Sequence, residues 1–486
     1  MMPRNAIATL VKLLMGFLCI TVFHFNYGES SYPGDAGTHG STYYQDPIRR
    51  MALMKASLHN LRTVAVSSPQ GSSSSRVHHA TEYGADPTGI SDSTEALQQA
   101  ISDAFISRIE GAHLMEGIAD LGGTQLHLDG GTYKISRPLR LPDTTGAGNF
   151  MIYGGSLLAS DNFPNDRHLI ELWSESNSFK YEDITLKDLM INSNFRGGGI
   201  AIINSLRTTI DNCYISSFTS NGILIHGGHE TFVRNSFIGQ HSNVGGDHRE
   251  KHFSGIGIDI NGNDNAVTDV IIFSAAVGIM VRGQANILTG VHCYNKATGW
   301  GGIGIHIRSP GLTQTRILNS YFDFTGIVAE DPVQLHISGS FFLGNAFVLI
   351  KSLKGVISGL TIVDNMFAGD YTGTQIVQFD QSNGQYFTTI DQVVVDRNVV
   401  RGMILKSTVA KGSKWSNGTK WTVDFSEVLL FPDLIQNVQY TLQASASFPN
   451  HILRNVSHNR VTVETDVPVS ATLHVLVDQS MLGYVL

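Results

Sequence analysis

Charged residues are scarce in this chain of 486 residues, since Asp, Glu, Lys and Arg together make up only 15% of it. A surface with so little charge must be polar mainly through Asn, Ser, Thr and Gly, which suits stacked strands and turns better than a helical enzyme. The formal net charge of −8 argues against a general nucleic-acid binder, because such proteins present basic surfaces.

The N-terminal apolar run is too short to span a membrane. It covers residues 13–25 and follows two basic residues, Arg4 and Lys12. A basic start followed by a short apolar run is typical of an export signal. We therefore predict that residues 1–28 are a signal peptide and that the protein is secreted, with no membrane contact after signal removal. Sequons at Asn417 and Asn455 fit this route and are predicted glycosylation sites.

The middle of the chain consists of imperfect repeats. Paired apolar segments recur at intervals of about 21 to 34 residues, which is a spacing typical of solenoids. Their strict alternation has the period of a strand and not of a helix. The segments that begin on glycine are GGIAII (198–203), GILIHG (222–227), GIGIDI (255–260), GIMVRG (278–283) and GIGIHI (302–307).

A second set of segments begins with Asn, Asp or Gly at the turn, where these residues favour left-handed backbone. One coil cannot bury its own apolar side chains, whereas stacked coils bury a continuous column of Ile. We predict an all-β fold, a right-handed parallel β-helix. Cys213 and Cys293 would then lie three coils apart at about 4.8 Å per coil, too far for a disulfide.

Residues 82–101 predict how the β-helix begins. The sequence EYGADPTGISDSTEALQQAI has a Gly/Pro turn followed by a helix that would cover the open first coil. Together with the repeats, it resembles the opening of the pectin lyase-like superfamily, which includes plant polygalacturonases of glycoside hydrolase family 28. The resemblance extends over about residues 78–410 and is greatest to the divergent plant type that separates pollen tetrads.

We divide the chain accordingly. Residues 1–28 are the signal peptide, 29–77 a flexible or pro-segment, 78–410 the catalytic β-helix, and 411–486 a small C-terminal β-strand extension. The extension is predicted from alternating stretches around residues 440–442 and 461–463.

Outward positions of the glycine-led strands bring charged residues onto one face. Counting alternate residues coil by coil predicts one row that opposes the net charge of the chain and suits a polyanionic sugar acid. Its members are Asp259 and the predicted substrate-binding residues His226, Arg282, His306, Arg308, His336 and Lys351.

Two further features supply carboxylates. One repeat contains a charged insertion between residues 241 and 254. The insertion carries Asp247 and Glu250 and lies directly before the strand of Asp259. Glu330 and Asp331 precede PVQLHI, in the position that Ser254 and Val277 hold in earlier coils. Inverting hydrolysis needs an acid and a base about 6.5–9.5 Å apart, which neighbouring coils or a loop over a strand can provide.

The family resemblance is incomplete at the motifs. Family 28 enzymes carry NTD, DD, GHG and RIK motifs, whereas residues 253–254, 276–277 and 300–301 here lack the acids and the histidine. Asp259 matches the second aspartate of the first motif, and His306-Ile307-Arg308 resembles the Arg-Ile-Lys that binds substrate carboxylate.

The resemblance, together with these residues, leaves three functions open for a protein of the cell wall. The first is hydrolysis of α-1,4-galacturonan, with Asp259 and Asp247 or Glu250 as catalytic groups and Glu330 with Asp331 as a competing pair. The others are a lyase acting by β-elimination and an inactive pectin-binding wall protein. We predict a monomer whose partner is polygalacturonate, with no nucleic acid, cofactor or metal site.

Overall fold

The computed structural model describes residues 76–106, 112–142, 146–173, 178–241, 253–294, 302–445 and 448–480. These residues form short strands that pair in parallel from one coil to the next, as the repeats predict. The prediction of a right-handed parallel β-helix with an N-terminal helix and a C-terminal β extension is confirmed.

The glycine-led segments form one sheet, which we call the front sheet. Its ten strands in the described residues are Leu139–Arg140, His168–Leu172, Gly198–Ile203, Asn221–His226, Ile256–Asn261, Val277–Val281, Ile303–Ile307, Ile327–Glu330, Val348–Lys351 and Val377–Asp380.

The turn-led segments form a longer sheet around the other sides, which we call the long sheet. Its 24 strands in the described ranges are Val77–His79, Thr88–Asp92, His113–Met115, Ile118–His127, Thr132–Ile135, Gly146–Ala159, Tyr181–Asn192, Ser205–Leu206, Thr209–Asp211, Tyr214–Ser216, Phe232–Arg234, Phe237–Gly239, Ala266–Thr268, Ile271–Phe273, Ile287–Thr289, His292–Tyr294, Thr315–Leu318, Tyr321–Asp323, Leu335–Ser338, Phe341–Leu343, Thr361–Val363, Met366–Ala368, Val394–Asp396 and Val399–Arg401. Val356–Ser358 and Thr389–Asp391 pair separately.

Parallel register aligns equivalent apolar residues into continuous buried columns. One column crosses the front sheet, where each member pairs with the next and is at most 1% exposed. Because every coil adds one member, burial continues along the axis and no coil has to form a core by itself. The column consists of Ile170, Ile200, Ile223, Ile258, Ile279, Ile305, Ile327, Val348 and Val377.

The predicted turn residues adopt left-handed backbone. Asp188, Asn212, Asn235, Asp269 and Asn319 have φ values of 53°, 51°, 52°, 54° and 49°. Short polar side chains tolerate this conformation because they bond to nearby groups. In two of these corners the Asn212 amide donates to Asp188 and the Asn235 amide donates to Asp211.

One helix closes the N-terminal end of the described β-helix. It spans Thr94–Ile106, after a 3₁₀ turn at Ala80–Tyr83, and its buried residues join the main core. Phe105 packs edge-on against Phe150 of the long sheet, with ring centroids 5.2 Å apart. The helix therefore covers apolar surface that the first coil would otherwise expose.

The C-terminal extension is an antiparallel sheet with a core of its own. Its strands are Val409–Asp424, Asn437–Ala444, His451–Ser457 and Arg460–Asp478. Trp421 is fully buried and its indole N–H donates to the Ala471 carbonyl at 3.1 Å.

Both cysteines in the described residues are free thiols. Cys213 and Cys293 are each 2% exposed, in separate coils of the core. Burial raises the pKa of each thiol to about 12. No helix within the described part of the chain is long and apolar enough to cross a membrane.

Candidate active site

Asp259 lies at the centre of the front sheet and forms a two-pronged ion pair. It points away from the core because its neighbours Ile258 and Ile260 are fully buried. The Arg282 Nε donates to Oδ1 at 2.9 Å and a terminal nitrogen donates to Oδ2 at 3.1 Å. The side-chain hydrogen bond to Asp259 raises the pKa of Arg282. Asp259 is therefore a fixed carboxylate, only 7% exposed, on the face that the repeats predict.

A second carboxylate on the same sheet bonds to histidine. Glu330 is the last residue of its strand, and its Oε1 lies 3.1 Å from the His306 Nε2. The Arg308 Nε lies 3.8 Å from Oε2. Burial lowers the pKa of His306 and outweighs the hydrogen bond with Glu330, which raises it. This arrangement places an imidazole against a carboxyl group, a pair that can hold or pass a proton.

The two carboxylate groups belong to one charged network. Their strands are three coils apart, or about 14 Å at the usual spacing of paired strands. Arg282 directly follows the strand Val277–Val281, which lies between their two strands. The pKa of Arg282 is raised first by the hydrogen bond to Asp259 and also by the charge of Glu330. Side chains must therefore lean along the sheet for both carboxylates to reach one sugar linkage.

Two other predicted binding residues also lie on the front sheet. His226 is exposed and its Nδ1 lies 2.9 Å from the Asn261 amide nitrogen. Lys351 is half-buried and pairs in register with Glu330 on one side and Asp380 on the other. Both can contact a polymer that follows the sheet, with Lys351 next to the Glu330 cluster.

The prediction that His336 belongs to this row is wrong. His336 lies in the strand Leu335–Ser338 of the long sheet, where it pairs with Arg316 and Thr361. The strand of this coil that enters the front sheet is instead Ile327–Glu330. It follows Gly326 like the other glycine-led strands, so the sequence did contain the pattern that locates it.

The predicted position of Glu330 and Asp331 before a front-sheet strand is wrong for the same reason. Glu330 is the last residue of such a strand and Asp331 follows it. Asp331 is completely buried at φ 39°. Its carboxylate accepts four backbone N–H groups, from residues 353, 354, 355 and 356, at 2.7 to 3.1 Å. These bonds use both oxygens, so Asp331 anchors a turn and does not form an acid/base pair with Glu330.

Sequence analysis missed a third carboxylate of the front sheet. Glu171 is 3% exposed and accepts hydrogen bonds from Arg140 Nε at 3.0 Å and Arg167 Nε at 2.8 Å. Both guanidinium groups lie over the Trp173 ring, 4.8 and 5.1 Å from its centroid. Glu171 was missed because its strand, His168–Leu172, does not begin on glycine.

Asp247 and Glu250 lie outside the described residues, and their role stays a prediction. Asn417 and Asn455, the two sequon asparagines, are exposed on the C-terminal sheet.

Comparisons with known proteins identify the family. A scan against protein-family models gives no match. The chain is 58% identical over 453 residues to "Polygalacturonase QRT3" of Arabidopsis thaliana, which covers 92% of this chain and 94% of the relative.

Three of the solved structures that are similar to this chain come from viruses and bacteria. ORF18 of Geobacillus virus E2 is 12% identical with a TM-score of 0.48, covering 90% of this chain and 81% of that chain. The surface protein and adhesin PfbA of Streptococcus pneumoniae is 14% identical with a TM-score of 0.45, covering 66% and 96%. A tailspike protein mutant of E. coli bacteriophage HK620, in complex with a pentasaccharide, is 8% identical with a TM-score of 0.44, covering 89% and 100%. Identity of 58% across nearly the whole length of both chains shows that this chain belongs to the polygalacturonase family of QRT3.

Proposed function

We propose that the protein is a secreted glycoside hydrolase that cleaves α-1,4-galacturonan, the backbone of pectin, in the plant cell wall. The observation that carries this proposal is the network of Asp259, Arg282, His306, Arg308 and Glu330 on one face of a charge-poor chain. Carboxylates supply acid and base, and cations attract a polymer with one carboxylate per sugar. The name of the relative supports the same substrate.

In this proposal Asp259 is the general base. A fixed carboxylate whose guanidinium partner stays charged can accept a proton from the attacking water. The water oxygen bonds to the anomeric carbon from the face opposite the leaving oxygen, which inverts the configuration. The bond to the leaving oxygen breaks as a carboxylic acid donates a proton to that oxygen.

Glu330 is the proposed acid, because its carboxyl group bonds to His306, through which a proton can reach it. Asp247 and Glu250 are the alternative acids. They immediately precede the strand of Asp259, and a loop over that strand can come closer than about 14 Å. Arg308, Lys351 and His226 are the proposed contacts for galacturonate, with Arg282 reserved for holding Asp259.

Secretion is part of the proposal. The predicted signal at residues 1–28 supports it, as does the exposure of Asn417 and Asn455, which leaves both sequons accessible to a glycan.

The test uses purified secreted protein and de-esterified polygalacturonate. New reducing ends and the absorbance of unsaturated uronate are followed together, and proton NMR records which anomer forms first. We expect reducing ends without unsaturated uronate, and a β-anomer as the first product. Asp259→Asn and Glu330→Gln should each lower the rate by at least about 100-fold.

Asp211→Asn is the matched control. Asp211 also has an arginine partner, with Arg234 at 3.3 Å, but it lies on the long sheet, so its variant should keep the wild-type rate. Unsaturated uronate that rises and disappears with a chelator would identify a lyase. Polymer binding without either product would identify a pectin-binding wall protein. A fully active Glu330→Gln with an inactive Glu250→Gln or Asp247→Asn would move the acid to the loop.

A further inference from the structure

Three potential metal ligands meet at the first coil, far along the chain from Asp259 and Glu330. His79 and His127 end their strands and are direct partners in the parallel register, so their side chains share a face. Asp129 follows two residues later in a left-handed turn with φ 48°. The Asp129 Oδ1 lies 2.6 Å from the His79 Nδ1 and 3.1 Å from the His127 Nδ1. One ligand atom from each residue lies within 4.8 Å of the other two.

Neighbouring groups hold these side chains in place. The His127 ring stacks on Tyr153 with centroids 4.6 Å apart. The second oxygen of Asp129 accepts hydrogen bonds from the Thr81 N–H at 3.3 Å and the Thr81 hydroxyl at 2.9 Å. The carboxylate therefore presents Oδ1 to the histidines, which is how partner groups commonly orient a metal-binding carboxylate.

The cluster is also open on one side. The side chain of His79 is 40% exposed, that of His127 18% and that of Asp129 12%. A bound ion would thus have three protein ligands and room for water. Two imidazoles and one carboxylate suit zinc, with bonds of about 2.0 to 2.2 Å, whereas calcium and magnesium prefer oxygen ligands alone.

We propose that His79, His127 and Asp129 form a binding site for a divalent transition-metal ion, with zinc as the best match. Tetrahedral bonds of about 2 Å place ligand atoms a little over 3 Å apart, so the present distances need only small movements of the imidazole rings. The ion would join the first strand, Val77–His79, to the strand Ile118–His127 and the turn after it. Its role would be to fasten the N-terminal end of the β-helix, and it is independent of the proposed hydrolysis.

The experiment uses the full secreted chain after chelation and buffer exchange. Zinc is titrated by calorimetry, and thermal unfolding is recorded with and without zinc. We expect one zinc ion per chain and an increase in Tm that the chelator reverses. Cobalt, used as a spectroscopic probe, should give the visible absorption of a tetrahedral site.

The variants test the ligands one by one. His79→Ala and Asp129→Asn should each weaken zinc binding by at least about tenfold, as loss of a ligand requires. His79 is half exposed, so its variant should fold even if Asp129→Asn does not. His229→Ala is the matched control. His229 also contacts an aspartate, Asp264 at 3.3 Å, but among the described residues this pair does not belong to a group of three potential metal ligands.

Unchanged zinc affinity in both ligand variants would overturn the proposal and assign the zinc to other histidines among the 19 of the chain. Absence of any heat and of any Tm change would overturn it as well, leaving a hydrogen-bonded histidine–aspartate cluster.

Discussion

Two adjacent carboxylates, Glu330 and Asp331, have opposite surroundings. Glu330 contacts side chains that can take part in chemistry, whereas Asp331 contacts only backbone N–H groups among the hydrogen bonds of the described residues. In Asp331→Asn an NH₂ group replaces one of the two acceptor oxygens. This donor would face buried backbone N–H groups, which would lose their acceptor. We expect Asp331→Asn to lower the free energy of unfolding by about 2 to 4 kcal/mol, measured by urea unfolding.

Glu330→Gln is the control for this stability measurement, because glutamine keeps the size and one acceptor oxygen. Its free energy of unfolding should change by less than about 1 kcal/mol while its activity falls. Equal loss of stability in both variants would contradict the division of roles.

Sequence analysis could place Asp259, Arg282, His306 and Arg308 on one face, because alternation along a strand decides to which side of the sheet each side chain points. It could not assign their partners. Arg282 reaches across one coil to Asp259, and the length and rotamers of arginine leave that choice to the folded structure. The four N–H groups on Asp331 come from residues more than twenty positions away, so no local motif predicts them.

At the scale of the strand and turn, buried asparagine ladders connect the coils. Asn286 is fully buried. Its Oδ1 accepts two hydrogen bonds from Asn265, one from the backbone N–H at 3.0 Å and one from the side-chain amide at 3.2 Å. Its own amide donates to the Gly262 carbonyl at 3.1 Å. We expect Asn286→Ala to lower the free energy of unfolding by about 2 to 4 kcal/mol, because it leaves these buried groups unpaired.

Asn383→Ala is the matched comparison for the ladder. Asn383 also bonds to backbone, donating to the Ser352 carbonyl at 2.8 Å, but it is exposed and water can replace it. Its substitution should cost less than about 1 kcal/mol. A similar loss of free energy of unfolding in both variants, measured by urea unfolding, would show that the buried ladder contributes no more than an exposed hydrogen bond to the backbone.

The elements themselves were largely predictable, and the exceptions have a physical cause. Glycine-led strands, left-handed corners and the capping helix follow from local residue preferences. The coil containing Ile327–Glu330 was misassigned because a second apolar segment, residues 332–337, follows within a few positions and also alternates. Which of two such segments enters the front sheet depends on register with neighbouring coils, which a single segment does not encode.

At the scale of the whole molecule, one buried histidine makes stability depend on pH. His168 is 7% exposed, and burial, opposed by the charge of Glu171, lowers its pKa to about 4. The unfolded chain binds the proton first, since its histidine pKa is about 6.5. The contribution of His168 to the free energy of unfolding is therefore largest above about pH 6.5. It falls by about 3 kcal/mol as the pH drops to 4.

The measurement is the urea midpoint at several pH values between 7 and 4 for the wild type and His168→Gln. We expect the wild type to lose more stability than the variant over this interval, because glutamine does not titrate. Parallel curves would mean that His168 does not contribute to acid unfolding.

The two free thiols also have a practical consequence. Thiol reagents attack the thiolate, and a buried thiol with a pKa near 12 supplies almost none at neutral pH. A cysteine introduced at an exposed position of the front sheet, such as His226, would thus react ahead of Cys213 and Cys293. A single fluorophore attached there would report when a polysaccharide occupies the face that carries Asp259, without any prior removal of these two native cysteines.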